Sequence, residues 1–114
     1  MAFIWDARQT PRTRIETRVA IECDRGHYRG LTVDLNERGM GIICAAPFYF
    51  DQNITLTFFA GADGSQQIVV SAVVRHSNGT RHGCEFVSVS AADREAIRSL
   101  ISQPKGLAAV SAAR

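Results

Sequence analysis

Apolar and polar positions alternate with a period of two along most of this chain. Between Arg18 and Asp24, Val19, Ile21 and Cys23 fall on one side and Ala20 and Glu22 on the other, which predicts a half-buried strand. Similar short apolar runs predict strands over Tyr28–Val33, Met40–Ala45, Ile54–Phe59, Gln67–Arg75 and His82–Val87. Turn-forming residues separate them: Arg25-Gly26, the polar stretch Asp34-Leu35-Asn36-Glu37-Arg38-Gly39, Pro47, Gly61-Ala62-Asp63-Gly64 and Ser77-Asn78-Gly79. In the second of these, carboxylate and amide side chains suit bonding to nearby backbone N–H groups, and Gly39 is suited to positive φ. Six short strands with close turns imply a mainly β domain, a small antiparallel barrel or sandwich, and closure into a barrel would remove exposed edges from so valine-rich a chain. The period changes after Ser90. Ala96, Ile97, Leu100 and Ile101 form one helical stripe, Ser90 is placed to accept from the N–H of Asp93, and Pro104-Lys105-Gly106 ends the helix. Residues 1–13, with Pro11, are expected to form a flexible arm, and residues 104–114 a frayed tail.

With 114 residues the chain is expected to make one domain with a single modest core. A net charge of +2 is too small to argue for nucleic acid. Its placement says more: Arg8, Arg12, Arg14 and Arg18 outweigh Asp6 and Glu16, so the excess lies in the leading segment and the rest balances. All the basic residues but Lys105 are arginine, the side chain suited to planar, bidentate recognition of phosphates and base edges. The apolar start, Met1-Ala2-Phe3-Ile4-Trp5, is cut short by Asp6 and Arg8, and no run is long enough for a membrane span, so a cytoplasmic protein is expected. Phe3 and Trp5 are suited to docking on the barrel, the plainest reading, to stacking on a ligand base or to contacting a partner. Cys23, Cys44 and Cys84 are odd in number and widely spaced, which argues against disulfides or a zinc site and for buried thiols.

Two segments carry a specific signal. Arg14-Ile15-Glu16-Thr17-Arg18 places two arginines four residues apart ahead of a strand, and Asp34, Asn36 and Gly39 punctuate the central turn. Together they resemble the PilZ domain, whose signatures are an Arg-x-x-x-Arg arm and an Asp-x-Ser-x-x-Gly turn. Here Asn36 stands where that pattern has serine. The resemblance extends through Val19–Glu22, Gly39–Ile42, Gly83-Cys84-Glu85-Phe86 and the helix starting at Ser90, covering roughly residues 10–103; the domain is placed at 14–103. It implies a six-stranded antiparallel PilZ-type β-barrel with a C-terminal α-helix.

The resemblance also implies a ligand, cyclic di-GMP, a dianion with two guanines, and no other cofactor. Arg14 and Arg18 in an extended arm lie about 13 Å apart at ~3.3 Å per residue and point to the same side, so two guanidinium forks reach one ligand. Each pairs with guanine O6 and N7 or with phosphate oxygens. Asp34 would accept from guanine N1–H and N2–H, Asn36 would donate and accept in place of the serine hydroxyl, and Gly39 would admit the ligand to the backbone. Arg12, Arg38, Arg75 and Gly83 are further candidates near the same mouth. Taken without the resemblance, Asp34 and Asn36 are simply turn caps, Arg14 a surface partner of Glu16 or Glu37, and Arg38, Arg75, Arg81, His76 and His82 solvated surface residues.

Three functions follow from these residues. The first is a bacterial receptor that binds cyclic di-GMP, orders its arm and relays occupancy to an effector protein. The second is a PilZ-like protein–protein adaptor that does not bind the nucleotide. The third, a nucleic-acid-binding barrel, is disfavoured by the barrel's balanced charge and lack of an aromatic platform. No motif places a catalytic triad, a carboxylate pair or a phosphate loop, so an enzyme is not expected.

Overall fold

The computed structural model describes residues 13–60 and 64–102, with side chains from residue 17 onward. The strands are β1 (Thr13–Cys23), β2 (Gly26–Asn36), β3 (Gly39–Ile43), β4 (Asn53–Ala60), β5 (Gln66–Asn78) and β6 (Arg81–Ser88), followed by helix α1 (Ala91–Ser102). They close into an antiparallel barrel in the order β1-β2-β3-β6-β5-β4. The seam between β1 and β4 is short, only three residue pairs from Ala20 opposite Thr57 to Glu22 opposite Thr55.

Two boundaries differ from the sequence expectation, and both concern the signature segments. The Arg14–Arg18 segment is not an arm ahead of the first strand. It is the first half of β1, already paired with β2, and of the expected arm 1–13 only Thr13 lies among the described residues. Likewise Asp34 and Asn36 are not in a loop but end β2, Gly39 opens β3, and the turn proper is Glu37-Arg38 alone. Ladder pairing set these limits; polar sequences such as Thr-Arg-Ile-Glu-Thr carry no alternation that would have extended the strand.

Inward side chains fill the barrel: Val19 and Ile21 as alternation predicts, together with Leu35 from the stretch read as a turn, whereas Cys23 is only partly covered. Val19, Ile21, Leu35, Met40, Ile42, Leu56, Phe58, Ile68, Val70, Val74 and Cys84 are all essentially buried. Helix α1 adds Ala96 and Ile97 to the same core, with Leu100 and Ile101 packed alongside, and it touches β2, β4 and β5. Its start is capped as expected: the Asp93 N–H donates to Ser90 Oγ at 3.1 Å, and Asp93 in the first turn complements the helix dipole. Cys44 and Cys84 are buried and unpaired, whereas Cys23 is only partly covered. Burial among apolar side chains, with Cys44 nearby, pushes the Cys84 thiol up to about 12, which keeps it protonated and unreactive.

His82 corrects an expectation. It is not on the surface but 3% exposed, edge-on to Phe48 with ring centroids 4.9 Å apart. Its Nε2 lies 3.1 Å from the Cys44 carbonyl, which can only accept, so Nε2 carries the proton and Nδ1 accepts from Ser77 Oγ at 2.8 Å. Burial, partly opposed by the bond to that carbonyl, lowers its pKa below 6.5.

Candidate functional site

The β2–β3 turn is built around Asn36. A two-residue hairpin of L-residues normally needs positive φ, yet among the described residues only Asp51 and three glycines, Gly26, Gly64 and Gly79, adopt it. Glu37, Arg38 and Gly39 do not, so the expectation of positive φ at Gly39 fails. Instead Asn36 Oδ1 accepts from the N–H of Arg38 at 2.6 Å and of Gly39 at 3.0 Å, holding the turn with a side chain. Asn36 is fully buried, and its Nδ2 has no hydrogen-bond partner among the described residues. This arrangement makes Asn36 a turn cap.

Asp34 reaches the barrel's outer face because of a bulge. Thr32 faces inward, so simple alternation would turn Asp34 inward and Leu35 outward. A register shift between Thr32 and Asp34 reverses this: Leu35 is buried opposite Met40, and half-buried Asp34 stands opposite Gly41. Asp34 Oδ1 accepts from the Gly41 N–H at 3.1 Å. A Cβ on Gly41 would sit 2.9 Å from that oxygen and 3.2 Å from the other, so only glycine lets the carboxylate lie there. Gly41 is therefore a site residue that the sequence reading missed. The signal was present in Met40-Gly41, where an inward Met40 turns Gly41 to the outer face.

The two signature segments meet. β1 pairs with β2 so that Arg14 lies directly opposite Asp34, with a second bulge between Arg14 and Thr17. Arg18 pairs with Leu31, two β2 positions before Val33, and is exposed. Across the other edge Gly41 pairs with Gly83, so Arg14, Asp34, Gly41 and Gly83 form one row over four neighbouring strands.

The remaining candidates are placed differently. Arg75 is held between acids, its Nε 2.8 Å from Glu85 Oε1 and its Nη1 on Asp51, and the hydrogen bond to Glu85 leads in raising its pKa. It is engaged in that network rather than directed at the row. Arg38 is exposed at the turn, where its carbonyl accepts from the Phe86 N–H at 2.7 Å. Glu37 pairs with Arg98 of α1 at 3.2 Å. Arg12 lies outside the described residues. Among the described residues no group of three or more His, Cys, Asp or Glu is placed to hold a metal, and no helix is long and apolar enough to cross a membrane.

A small closed six-stranded barrel, with an acidic hairpin end facing a basic strand start across one ladder, defines the class. The PilZ domain profile matches residues 6–103, and the chain belongs to that family. Similar solved structures share the fold. The PilZ domain with c-di-GMP of YcgR from Escherichia coli superposes with a TM-score of 0.73 at 17% identity, covering 96% of this chain and 99% of that one. Bacillus subtilis inhibitor of motility, MotI/DgrA, gives 0.71 at 22% identity over 84% of this chain; the match spans 49%, about half, of that protein. The PilZ domain of CeSA from a cellulose-synthesizing bacterium gives 0.63 at 13%, covering 79% and 93% respectively. No curated protein sequence matches the chain.

Proposed function

We propose that this chain is a bacterial cytoplasmic receptor that binds cyclic di-GMP on the outer face of its barrel and passes occupancy to an effector protein. The observation that carries this reading is the register that sets Arg14 opposite Asp34, bringing the two signature segments together on neighbouring strands. A carboxylate that only accepts suits the N1–H and N2–H edge of guanine, and arginines suit phosphates and the O6/N7 edge. Gly41, with no side chain of its own, leaves room for the Asp34 carboxylate beside its N–H. Asn36 serves the site by shaping the turn, its carbonyl oxygen already committed to two backbone N–H groups. The solved PilZ domain of YcgR, which contains c-di-GMP, supports the choice of ligand.

Since Arg14–Arg18 already belongs to β1, occupancy is signalled by a change at this surface rather than by folding of that segment. Calorimetric titration tests the reading with cyclic di-GMP, an unrelated dinucleotide and a short oligonucleotide. Binding of cyclic di-GMP alone, lost in Arg14→Ala and Asp34→Ala, is the expected result. Absence of heat at high micromolar ligand would end the receptor reading and leave the second one, an adaptor that works by protein contact only. The observation favouring that alternative is also Asn36, fully buried where the family pattern has the smaller serine.

A further inference from the structure

On the outer face of β1 and β2, Arg18 pairs with Leu31 and Ala20 pairs with Arg29. All four residues are exposed, so they form a two-by-two block with the arginines at opposite corners. Diagonal neighbours across antiparallel strands have Cβ atoms about 7–8 Å apart or somewhat less, which side chains of arginine length span easily. Among the described residues neither guanidinium has an ion-pair partner. Arg75 lies against Asp51 and Glu85, and Arg98 against Glu37 and Glu95. Glu22, the next outward residue of β1 after Ala20, is turned to His27 at 3.7 Å instead. Two neighbouring like charges without a counter-charge repel, and an anion accepting from both relieves that repulsion.

The block also has room for an anion. Ala20 projects only a methyl group between the two arginines, and on its far side it stands opposite Thr57 of β4. Ala20, Thr57 and Arg29 line an open recess of about 390 Å³, together with Tyr28, His27 and Glu22. Its distance from Asp34 is short because of the β2 bulge. Leu31 lies opposite Ile43 and Asp34 opposite Gly41, two β3 residues apart. At ~3.3 Å per residue the Arg18 row is therefore about 7 Å from the Asp34 row, and Arg29 about 7 Å further along β2.

We propose that Arg29 is a ligand-contacting residue that, with Arg18, clamps a phosphodiester of cyclic di-GMP above Ala20. The inference rests on the receptor reading above and adds to it a residue that neither signature segment contains. A guanine edge held by Asp34 leaves the covalently attached phosphodiester to lie along β2, toward the arginine pair. Each planar guanidinium offers paired N–H donors to phosphate oxygens, and approach from opposite corners lets the two take both non-bridging oxygens.

Titration of cyclic di-GMP into the intact chain and into Arg29→Ala, Arg29→Lys, Ala20→Glu and Arg25→Ala tests this, alongside the arginine Nε–H resonances of the unmodified protein. Arg29→Ala is expected to weaken binding about tenfold, the scale of one lost charge-assisted contact. Arg29→Lys keeps the charge without the fork and weakens it about threefold. Ala20→Glu sets a carboxylate where the phosphodiester would lie and weakens it about tenfold or more. Arg25→Ala removes an exposed charge at the β1–β2 turn and stays within about twofold. On saturation the Arg29 Nε–H resonance shifts and that of Arg25 does not. If the unmodified protein binds but Arg29→Ala stays within about twofold and the Arg29 resonance is still, the inference is overturned and the receptor reading stands. A loss in Arg29→Ala that Arg25→Ala matches also overturns it, as an effect of net charge alone. If the unmodified protein gives no heat, both fall. Should Arg29→Ala fail to fold, Ala20→Glu and the resonances decide.

Discussion

Gly41 shows how a single missing methyl governs this site. Its N–H donates to Asp34, and a Cβ would press within 2.9 Å of the same carboxylate oxygen. Gly41→Ala is therefore expected to push the carboxylate off its seat and weaken cyclic di-GMP by about tenfold, a loss of about 1.4 kcal/mol, while the barrel stays folded by circular dichroism. Unchanged affinity would separate Asp34's present position from ligand binding. His82 works at the same scale but on stability. Its folded pKa lies below 6.5, so it stays neutral in the barrel while the unfolded chain takes up a proton as pH falls through 6.5. The unfolded state then binds more protons, and stability drops with falling pH until the lowered folded value is passed. Urea midpoints measured from pH 7.5 to 5.5 should decline, and His82→Gln, which leaves His27 and His76 in place, should flatten that decline.

At the level of elements, helix α1 is where local sequence and tertiary contact agree most closely. Ser90 caps it through the Asp93 N–H, so Ser90→Ala should cost about 1 kcal/mol in a urea titration, with the buried stripe intact. The β2–β3 hairpin is the opposite case. Its turn lacks the positive φ that a two-residue connection prefers and depends on Asn36 for its two N–H groups. Burying the unpartnered Nδ2 costs free energy that the capping bonds offset. The Glu37–Arg98 ion pair links this hairpin to α1, but both groups are substantially exposed and the pair contributes at most about 1 kcal/mol.

On the scale of the whole molecule, barrel and helix share one core. Ala96 and Ile97 are as buried as the strand residues they meet, and only three residue pairs join β1 to β4. Ile97→Ala removes a fully buried side chain and should cost about 2–5 kcal/mol. Because the core is common, far-ultraviolet and near-ultraviolet signals should still be lost in one coincident transition. A separate early loss of helix signal would show instead that α1 is an independent appendage. Closure also explains how a chain so rich in valine and isoleucine leaves few ladder groups unpaired.

The sequence by itself determined the six strands, the single C-terminal helix and nearly all of the core, because alternation and helical periodicity report directly which side of an element faces apolar neighbours. It also held the family signature, since Arg14, Arg18, Asp34 and Gly39 keep their identity and spacing whatever surrounds them. Only the tertiary structure decided which of these residues adjoin. Register and bulges depend on pairing between distant segments, so the meeting of Arg14 with Asp34, the outward turn of Asp34 and the glycine row beside it were invisible in the linear order. For the same reason His82 read as a surface residue: a lone histidine between polar neighbours gives no sign of the Cys44 carbonyl and Ser77 hydroxyl that wait for it inside the barrel.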